Sequence, residues 1–270
     1  MIYYSIIFGL IQALTEFLPV SSSGHLLLLH NILNFSFGQN LTYDCALHLG
    51  TGLALLLYFW SDIKKYGGAL LRFVFNQETK DKQSLKTSFN IFFAVIPAGI
   101  IGLTLENFIE NKLRGVAIVV AMLVIVAILF FVAEKFCRDK KGLEQLSARQ
   151  ALGIGFSQAL ALIPGVSRSG ISIVTSMAYG LNREQAAKFS FLVGLPVILG
   201  AGIYKMLKID FSALNNEIML IFVLGLLTSS VAGYLVIRFL MKYLQNYSLK
   251  VFAWYRIALA IVIIIYFWLK

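Results

Sequence analysis

The chain is poor in charge: 13% of its 270 residues are charged, against roughly 25% in ordinary soluble domains. Hydrophobic residues make up 59% and the mean hydropathy is +0.81, which together exclude a water-soluble globule and indicate an integral membrane protein. No polar stretch is long enough to fold alone, so a single membrane domain over 1–270 is expected. The first apolar run lacks a cationic flank before it and a small-residue cleavage site after it, which argues against a removable signal peptide. Cysteine is scarce too. Cys45 and Cys137 are the two in the chain, and neither a disulfide framework nor a zinc site can be built from them, so they read as small membrane-buried residues. Acidic residues number 13 against 23 basic ones, for a net charge of +10. That excess is the lysine and arginine bias of cytoplasmic loops with contact to anionic lipid, and no nucleic-acid partner is expected.

Against this background the few polar residues are informative. Gly9 to Gly24 reads GLIQALTEFLPVSSSG, and Gly155 to Gly170 reads GFSQALALIPGVSRSG. Gln12 and Gln158, Ser21 and Ser167, and Gly24 and Gly170 are each 146 positions apart. Hydroxyls, an arginine and a carboxylate between apolar runs are costly in lipid and mark sites for a substrate or ion.

Apolar segments near 44–60, 89–105, 115–134, 187–206, 218–241 and 250–269 are each close to the ~20 residues that cross a bilayer. Regions 1–43 and 150–181 are also hydrophobic, but Pro19 with Ser21–Gly24 interrupts the first and Pro164 with Ser167–Gly170 the second. A helix broken there leaves backbone groups that only protein or trapped water can satisfy, so both regions read as re-entrant helix–loop–helix hairpins. The expected fold class is an all-α polytopic membrane protein with six spanning helices and two such hairpins. Lys64, Lys65, Arg72, Lys80, Lys82 and Lys86 outweigh Asp62, Glu78 and Asp81 in 61–88, and Lys135, Arg138, Lys140, Lys141 and Arg149 outweigh Asp139 and Glu144 in 135–149. Those two loops are placed in the cytoplasm, while 106–114, where Glu106 and Glu110 balance Lys112 and Arg114, is placed outside. Lys242 and Lys250 flank a further connection counted as inside, and both termini fall outside. Each repeat, 1–134 and 150–269, then holds one hairpin and three spans, and the odd number of crossings inverts the second relative to the first.

Gln12 and Glu16 are one helical turn apart and share a face. A glutamate in the hydrocarbon layer needs a cation, a proton or a metal to compensate it; a helix-end cap, a protonated acid and a structural ion pair are the plainer alternatives. Gln12 and Glu16 together could contribute to a divalent-ion site completed by substrate phosphate oxygens. Ser21, Ser22 and Ser23 open a helical run, as do Ser167, Arg168 and Ser169, so hydroxyls and N–H groups gather at helix N-termini that suit an anion or simply cap the helix. Arg168 adds a forked, permanently charged donor for phosphate. His25 shares a face with Ser21 and Ser22 and could serve as base, acid or nucleophile. His30 and His48 read as structural hydrogen-bonders.

These residues resemble the undecaprenyl-diphosphatase (bacitracin-resistance protein) family of bacterial inner membranes. The likeness runs essentially end to end through Gln12–His25, Pro164–Gly170 and a Tyr255–Arg256 pair. It implies an enzyme that hydrolyses undecaprenyl diphosphate to undecaprenyl phosphate and inorganic phosphate, recycling the lipid carrier for peptidoglycan synthesis, at a site facing the periplasm and dependent on Mg²⁺ or Ca²⁺. By that resemblance Glu16, His25, Ser22 and Arg168 are catalytic. Ser21, Ser23, Ser167, Ser169, Gln12 and Arg256 bind substrate, and Glu16 and Gln12 hold the metal. Many members carry Glu where this chain has Gln12, so a mechanism with two carboxylates on the metal does not carry over. The partners implied are undecaprenyl diphosphate and membrane lipid, with a homodimer as the assembly considered. The nucleophile is left open between His25, Ser22 and a water activated by His25. The rival class is a lipid-phosphate flippase or transporter, since inverted repeats with broken helices also build carriers; a membrane scaffold has no use for Arg168 among apolar runs.

Overall fold

The computed structural model describes residues 2–33, 40–77, 81–113, 115–136, 142–208 and 216–269, with only the backbone at 31–33, 40–42, 106, 107, 110 and 111. Glu78, Lys80, Arg114, Cys137, Arg138, Asp139, Lys140 and Lys141, cited above, lie outside the described residues, as do the side chains of Glu106 and Glu110.

Among the described residues the structure is all-helical: α1 (Ile2–Phe17), α2 (Ser22–Leu33), α3 (Asn40–Tyr58), α4 (Trp60–Val74), α5 (Lys82–Lys112), α6 (Val116–Phe136), α7 (Ala148–Ala159), α8 (Arg168–Ala178), α9 (Arg183–Met206), α10 (Asn216–Asn246) and α11 (Lys250–Leu269), with short 3-10 turns at Leu143–Gln145 and Leu160–Leu162. Five of them, in α5, α6, α9, α10 and α11, are long and apolar enough to cross a membrane. A sixth span arises if α3 and α4, bent 79° apart, count together. Region 1–43 holds the pair α1–α2 and region 150–181 the pair α7–α8, each a helix–loop–helix. Two expectations need correcting. The segment after Trp60, read as loop, carries the amphipathic helix α4, because apolar residues recur with helical spacing among its lysines. The outer connection expected at 106–114 is largely helix, since α5 continues to Lys112.

The helices are turned inside out relative to those of a soluble protein. In α1 the buried face carries Ser5, Phe8, Gly9, Gln12, Ala13, Glu16 and Phe17, whereas Ile7, Leu10 and Leu14 are exposed. Spacings of three and four place the polar groups on the protein-facing side and leave aliphatics outward. The same outward greasiness recurs at Leu103, Val231, Leu235, Phe239 and Trp254, far more apolar surface than water tolerates. The chain is a multi-pass membrane protein.

Packing is exchanged between the halves. α1 packs on α10 while α7 packs on α5, and α3 meets α9 as α6 meets α11. At the end opposite the two serine loops, Glu134 of α6 accepts a forked pair from Arg183 Nε and Nη2 (2.9 and 2.7 Å) and the backbone N–H of Leu249 (2.8 Å). One carboxylate, 2% exposed, thus ties α6, the start of α9 and the entry to α11. Glu134→Ala removes the carboxylate that Arg183 Nε and Nη2 hold and leaves the Leu249 N–H without its acceptor, so it should cost about 2 kcal/mol. Thermal unfolding in detergent checks this; an unchanged midpoint would show that the clasp contributes nothing.

Candidate active site

The two serine loops fold alike. Ser21 and Ser167 both have positive φ, 78° and 72°, a left-handed setting that is costly for a non-glycine residue and concentrates at functional sites. In each loop the side chain repays part of that cost by accepting the N–H three residues on: Gly24 N–H to Ser21 Oγ (3.4 Å) and Gly170 N–H to Ser167 Oγ (3.2 Å). Each hydroxyl also pairs with the serine two residues on, Ser21 with Ser23 at 3.1 Å and Ser167 with Ser169 at 3.3 Å. Ser21 and Ser167 therefore act as helix caps for α2 and α8.

The loops touch. Gly165 N–H donates to Ser23 Oγ (3.1 Å) and Ser169 Oγ donates to the Glu16 carbonyl (3.1 Å). Between them Arg168 Nη2 donates to Glu16 Oε1 at 2.8 Å, joining residues 152 positions apart. Glu16 Oε2 accepts from Ser22 Oγ (3.0 Å) and Gln12 Nε2 (3.3 Å). Glu16 is 7% exposed and Arg168 12%, so the pair is shielded from water and its two charges compensate each other in place. Arg168 also donates through Nη1 to the Ser190 carbonyl of α9 (3.4 Å). Its guanidinium lies against Gly194 so closely that a Cβ there would overlap it. A glycine one turn beyond Ser190 is what admits the arginine.

A cavity of about 550 Å³ opens on this centre. Glu16, Ser22, Ser23, Ser167, Arg168, Gln158, Asp44, His30 and His48 contribute polar wall; Leu26, Leu27, Ala98, Val119, Leu162 and Ile198 are among the apolar remainder. Four of these polar groups, Gln158, Asp44, His30 and His48, were not assigned to the site from sequence. His48 Nδ1–H donates to the Asp44 carbonyl (2.7 Å) and its Nε2 faces Glu16 Oε2 at 3.7 Å. His30 Nε2 stands 3.4 Å from Asp44 Oδ1. Their cue was available: Asp44 and His48 are one turn apart in an apolar helix, the spacing that drew notice to Gln12 and Glu16.

Five of the ten expected site residues, His25, Arg256, Ser21, Ser169 and Gln12, do not line the cavity. His25 is not among the cavity-lining residues. Its Nδ1–H donates to the Ser21 carbonyl (2.8 Å), which leaves Nε2 to accept the Tyr255 hydroxyl (2.7 Å), with the two rings stacked. Arg256, expected to bind substrate, is fully buried. It donates to five carbonyls: Leu123 and Met122 of α6 (both 3.2 Å), Pro19 of the first loop (3.4 Å), and Gly165 and Val166 of the second (2.7 and 3.2 Å). With all five of these bonds spent on backbone, Arg256 is a clamp that holds both loops to α6. Ser21, Ser169 and Gln12 are buried and do not line the cavity; Ser169 and Gln12 hydrogen-bond to Glu16 instead.

Among the described residues no three His, Cys, Asp or Glu side chains gather as a metal-holding group. Beside Glu16 one buried oxygen lacks a hydrogen-bond partner, Gln12 Oε1. An orphaned amide oxygen next to a carboxylate is compatible with a hard cation that takes its other ligands from substrate and water.

Fold and site define a multi-pass membrane protein with a buried acid–guanidinium centre at the meeting of two duplicated serine loops. The family model described as bacitracin resistance protein BacA matches residues 5–262, and the chain belongs to that family. Among its relatives are proteins named undecaprenyl-diphosphatase from Rubrobacter xylanophilus (41% identical, covering 95% of this chain and 94% of the relative) and Desulforudis audaxviator (40%, covering 97% of each). Another, from Pelotomaculum thermopropionicum, is 36% identical over 98% of this chain and 96% of its own length.

The clamp has a measurable consequence. Arg256→Lys keeps the charge but loses the fork, and should lower stability by about 2–3 kcal/mol by stranding buried carbonyls. A thermal midpoint equal to wild type would contradict this role.

Proposed function

We propose that the chain is a membrane phosphatase that hydrolyses undecaprenyl diphosphate to undecaprenyl phosphate and inorganic phosphate, the activity its relatives are named for. The observation that carries the reading is the shared cavity. Glu16, Ser22 and Arg168 meet at its polar part, and most of the rest of its wall is apolar, with Asp44, His30, His48, Gln158 and Lys205 as further polar groups. An amphipathic anion with a diphosphate head and a prenyl tail has matching chemistry for both parts.

The chemistry follows from the contacts. A diphosphate entering the cavity competes with Glu16 for the Arg168 guanidinium, whose planar fork suits phosphoryl oxygens. Arg168 turned toward the transferring phosphoryl group neutralises developing charge, the main demand of this reaction class. Glu16, released from Arg168, still holds the Ser22 hydroxyl through Oε2. Ser22 is therefore the nucleophile we assign: its Oγ attacks the terminal phosphorus, its proton passes to Glu16, undecaprenyl phosphate leaves, and water then frees the phosphate. His25 serves by position, holding the Ser21 carbonyl and with it the strained turn that presents Ser22. Gln12 Oε1 and Glu16 are the protein oxygens that would hold Mg²⁺ or Ca²⁺. The cation would supply further charge neutralisation on the diphosphate.

The membrane arrangement we propose is an inverted repeat, 1–134 and 150–269, with α1–α2 and α7–α8 as re-entrant hairpins and both termini outside. The reciprocal packing of α1 on α10 and α7 on α5 supports it, as do the matching turns at Ser21 and Ser167. The lysine- and arginine-rich loops would then face the cytoplasm and the site the periplasm of a bacterial inner membrane.

Purified protein in detergent tests the reading without a membrane gradient. Phosphate should be released from undecaprenyl diphosphate, and Glu16→Gln, Arg168→Ala and Ser22→Ala should each lower kcat at least a hundredfold. Near-normal release by Glu16→Gln or Arg168→Ala overturns the assignment, and no release by wild type leaves a carrier that binds the same headgroup. Chelator should abolish turnover and Mg²⁺ or Ca²⁺ restore it. Gln12→Leu should raise the cation concentration needed for half-maximal rate, and an unchanged requirement removes Gln12 from the cation site.

A further inference from the structure

We infer that Gln158 is a diphosphate-binding residue, and that the two repeat-related glutamines have divided their roles: Gln12 serves Glu16, and Gln158 serves the substrate. Gln158 stands at the last turn of α7, 146 positions after Gln12, and is 2% exposed. Both atoms of its amide lack a hydrogen-bond partner. Among the described residues the other buried side-chain groups in that condition are Gln12 Oε1 and the hydroxyls of Ser172, Ser176 and Ser190. Of all these side chains, Gln158 alone lines the cavity. A buried primary amide without donors or acceptors to meet is unfavourable, and such groups in a functional cavity are commonly completed by a ligand.

The repeat explains why the amide is free. In the first loop Gln12 donates to Glu16, four residues on. In the second, the residue four after Gln158 is Leu162, which offers no acceptor and itself lines the cavity. The position that would have satisfied the amide has become apolar wall. What remains is a donor and an acceptor at the wall that also holds Ser167 and Arg168. Nε2–H suits a phosphoryl oxygen, and Oε1 suits a protonated phosphate oxygen or a phosphate-bound water. The amide carries no charge, so it adds recognition without competing with Glu16 for Arg168. This assignment rests on the phosphatase reading above for the identity of the substrate, though the anion chemistry of the site stands apart from turnover.

The test uses full-length protein in detergent with two readouts: KM and kcat for undecaprenyl diphosphate, and affinity for inorganic pyrophosphate by calorimetry. Gln158→Met keeps length and volume but removes both hydrogen-bonding atoms. It should raise KM and weaken pyrophosphate binding about tenfold, the weight of one hydrogen bond to a charged group, with kcat within threefold of wild type. Gln158→Glu keeps the shape and adds a negative charge, so it should weaken pyrophosphate binding further than Gln158→Met does. Pyrophosphate affinity equal to wild type in folded Gln158→Met overturns the inference. If the methionine variant does not fold, wild-type affinity in Gln158→Glu overturns it instead. A kcat loss with unchanged affinity also overturns it, because that marks a structural role. If wild type binds pyrophosphate through Gln158 but releases no phosphate from the lipid, the phosphatase reading fails and the binding assignment stands.

Discussion

A single ion pair organises this molecule. Glu16 and Arg168 each sit in apolar sequence, and neither charge could be held there alone at an acceptable cost. Each is contributed by a different copy of the repeat, so satisfying one requires bringing the two loops together. Other features follow from that requirement. Gly194 leaves room for the guanidinium, the Ser190 carbonyl takes a spare donor, and Ser22 and Gln12 fill the lone pairs that Arg168 leaves on the carboxylate. A buried pair of this kind contributes little net stability compared with well-packed apolar residues. Its usefulness lies in being exchangeable, since an incoming anion can take the arginine and release the acid in one movement.

The two serine loops share a frame and differ in chemistry. The two loops keep the same capping serines, the same positive-φ turn and the same following glycine. They differ where reactivity is needed. Glu16 corresponds to Leu162, Ser22 to Arg168 and His25 to Ile171. One loop thus carries the acid and the hydroxyl, and the other carries the cation. A symmetric site with two acids would repel a diphosphate, and one with two arginines would leave no base. Arg256 lies outside this correspondence of loops yet secures both by binding Pro19, Gly165 and Val166 carbonyls at once.

What could be read from sequence was what depends on local pattern. Twenty-residue apolar runs gave the long helices, and the Pro–Ser–Gly breaks located both loops and the pairing of Glu16's neighbourhood with that of Arg168. Long-range contacts that the loop repeat does not mark were not legible. Nothing local in α11 says that Arg256 will meet carbonyls of α6 and both loops, and an arginine beside a tyrosine in a membrane helix reads equally well as a substrate ligand. His48 was passed over for a related reason: a lone histidine in an apolar helix is usually structural, and its approach to Glu16 emerges only when α3 folds against α1. The α4 helix was not legible because its lysines disguise its apolar spacing.

The size of the cavity limits how a long lipid can be accommodated. About 550 Å³ lies in the range of small-molecule sites, enough for a diphosphate and the first prenyl units but far less than an eleven-unit chain occupies. The remainder of the tail must therefore lie along the outward aliphatic faces, among the lipid. Selection then falls on the headgroup and its nearest carbons, while the distal tail is held by the same hydrophobic partitioning that holds the protein in the bilayer. An enzyme arranged this way needs no deep tunnel. It needs a strong local anion site at the end of an apolar approach, the role we propose for the Glu16–Arg168 centre, with Leu26, Leu27 and Val119 in the same cavity wall.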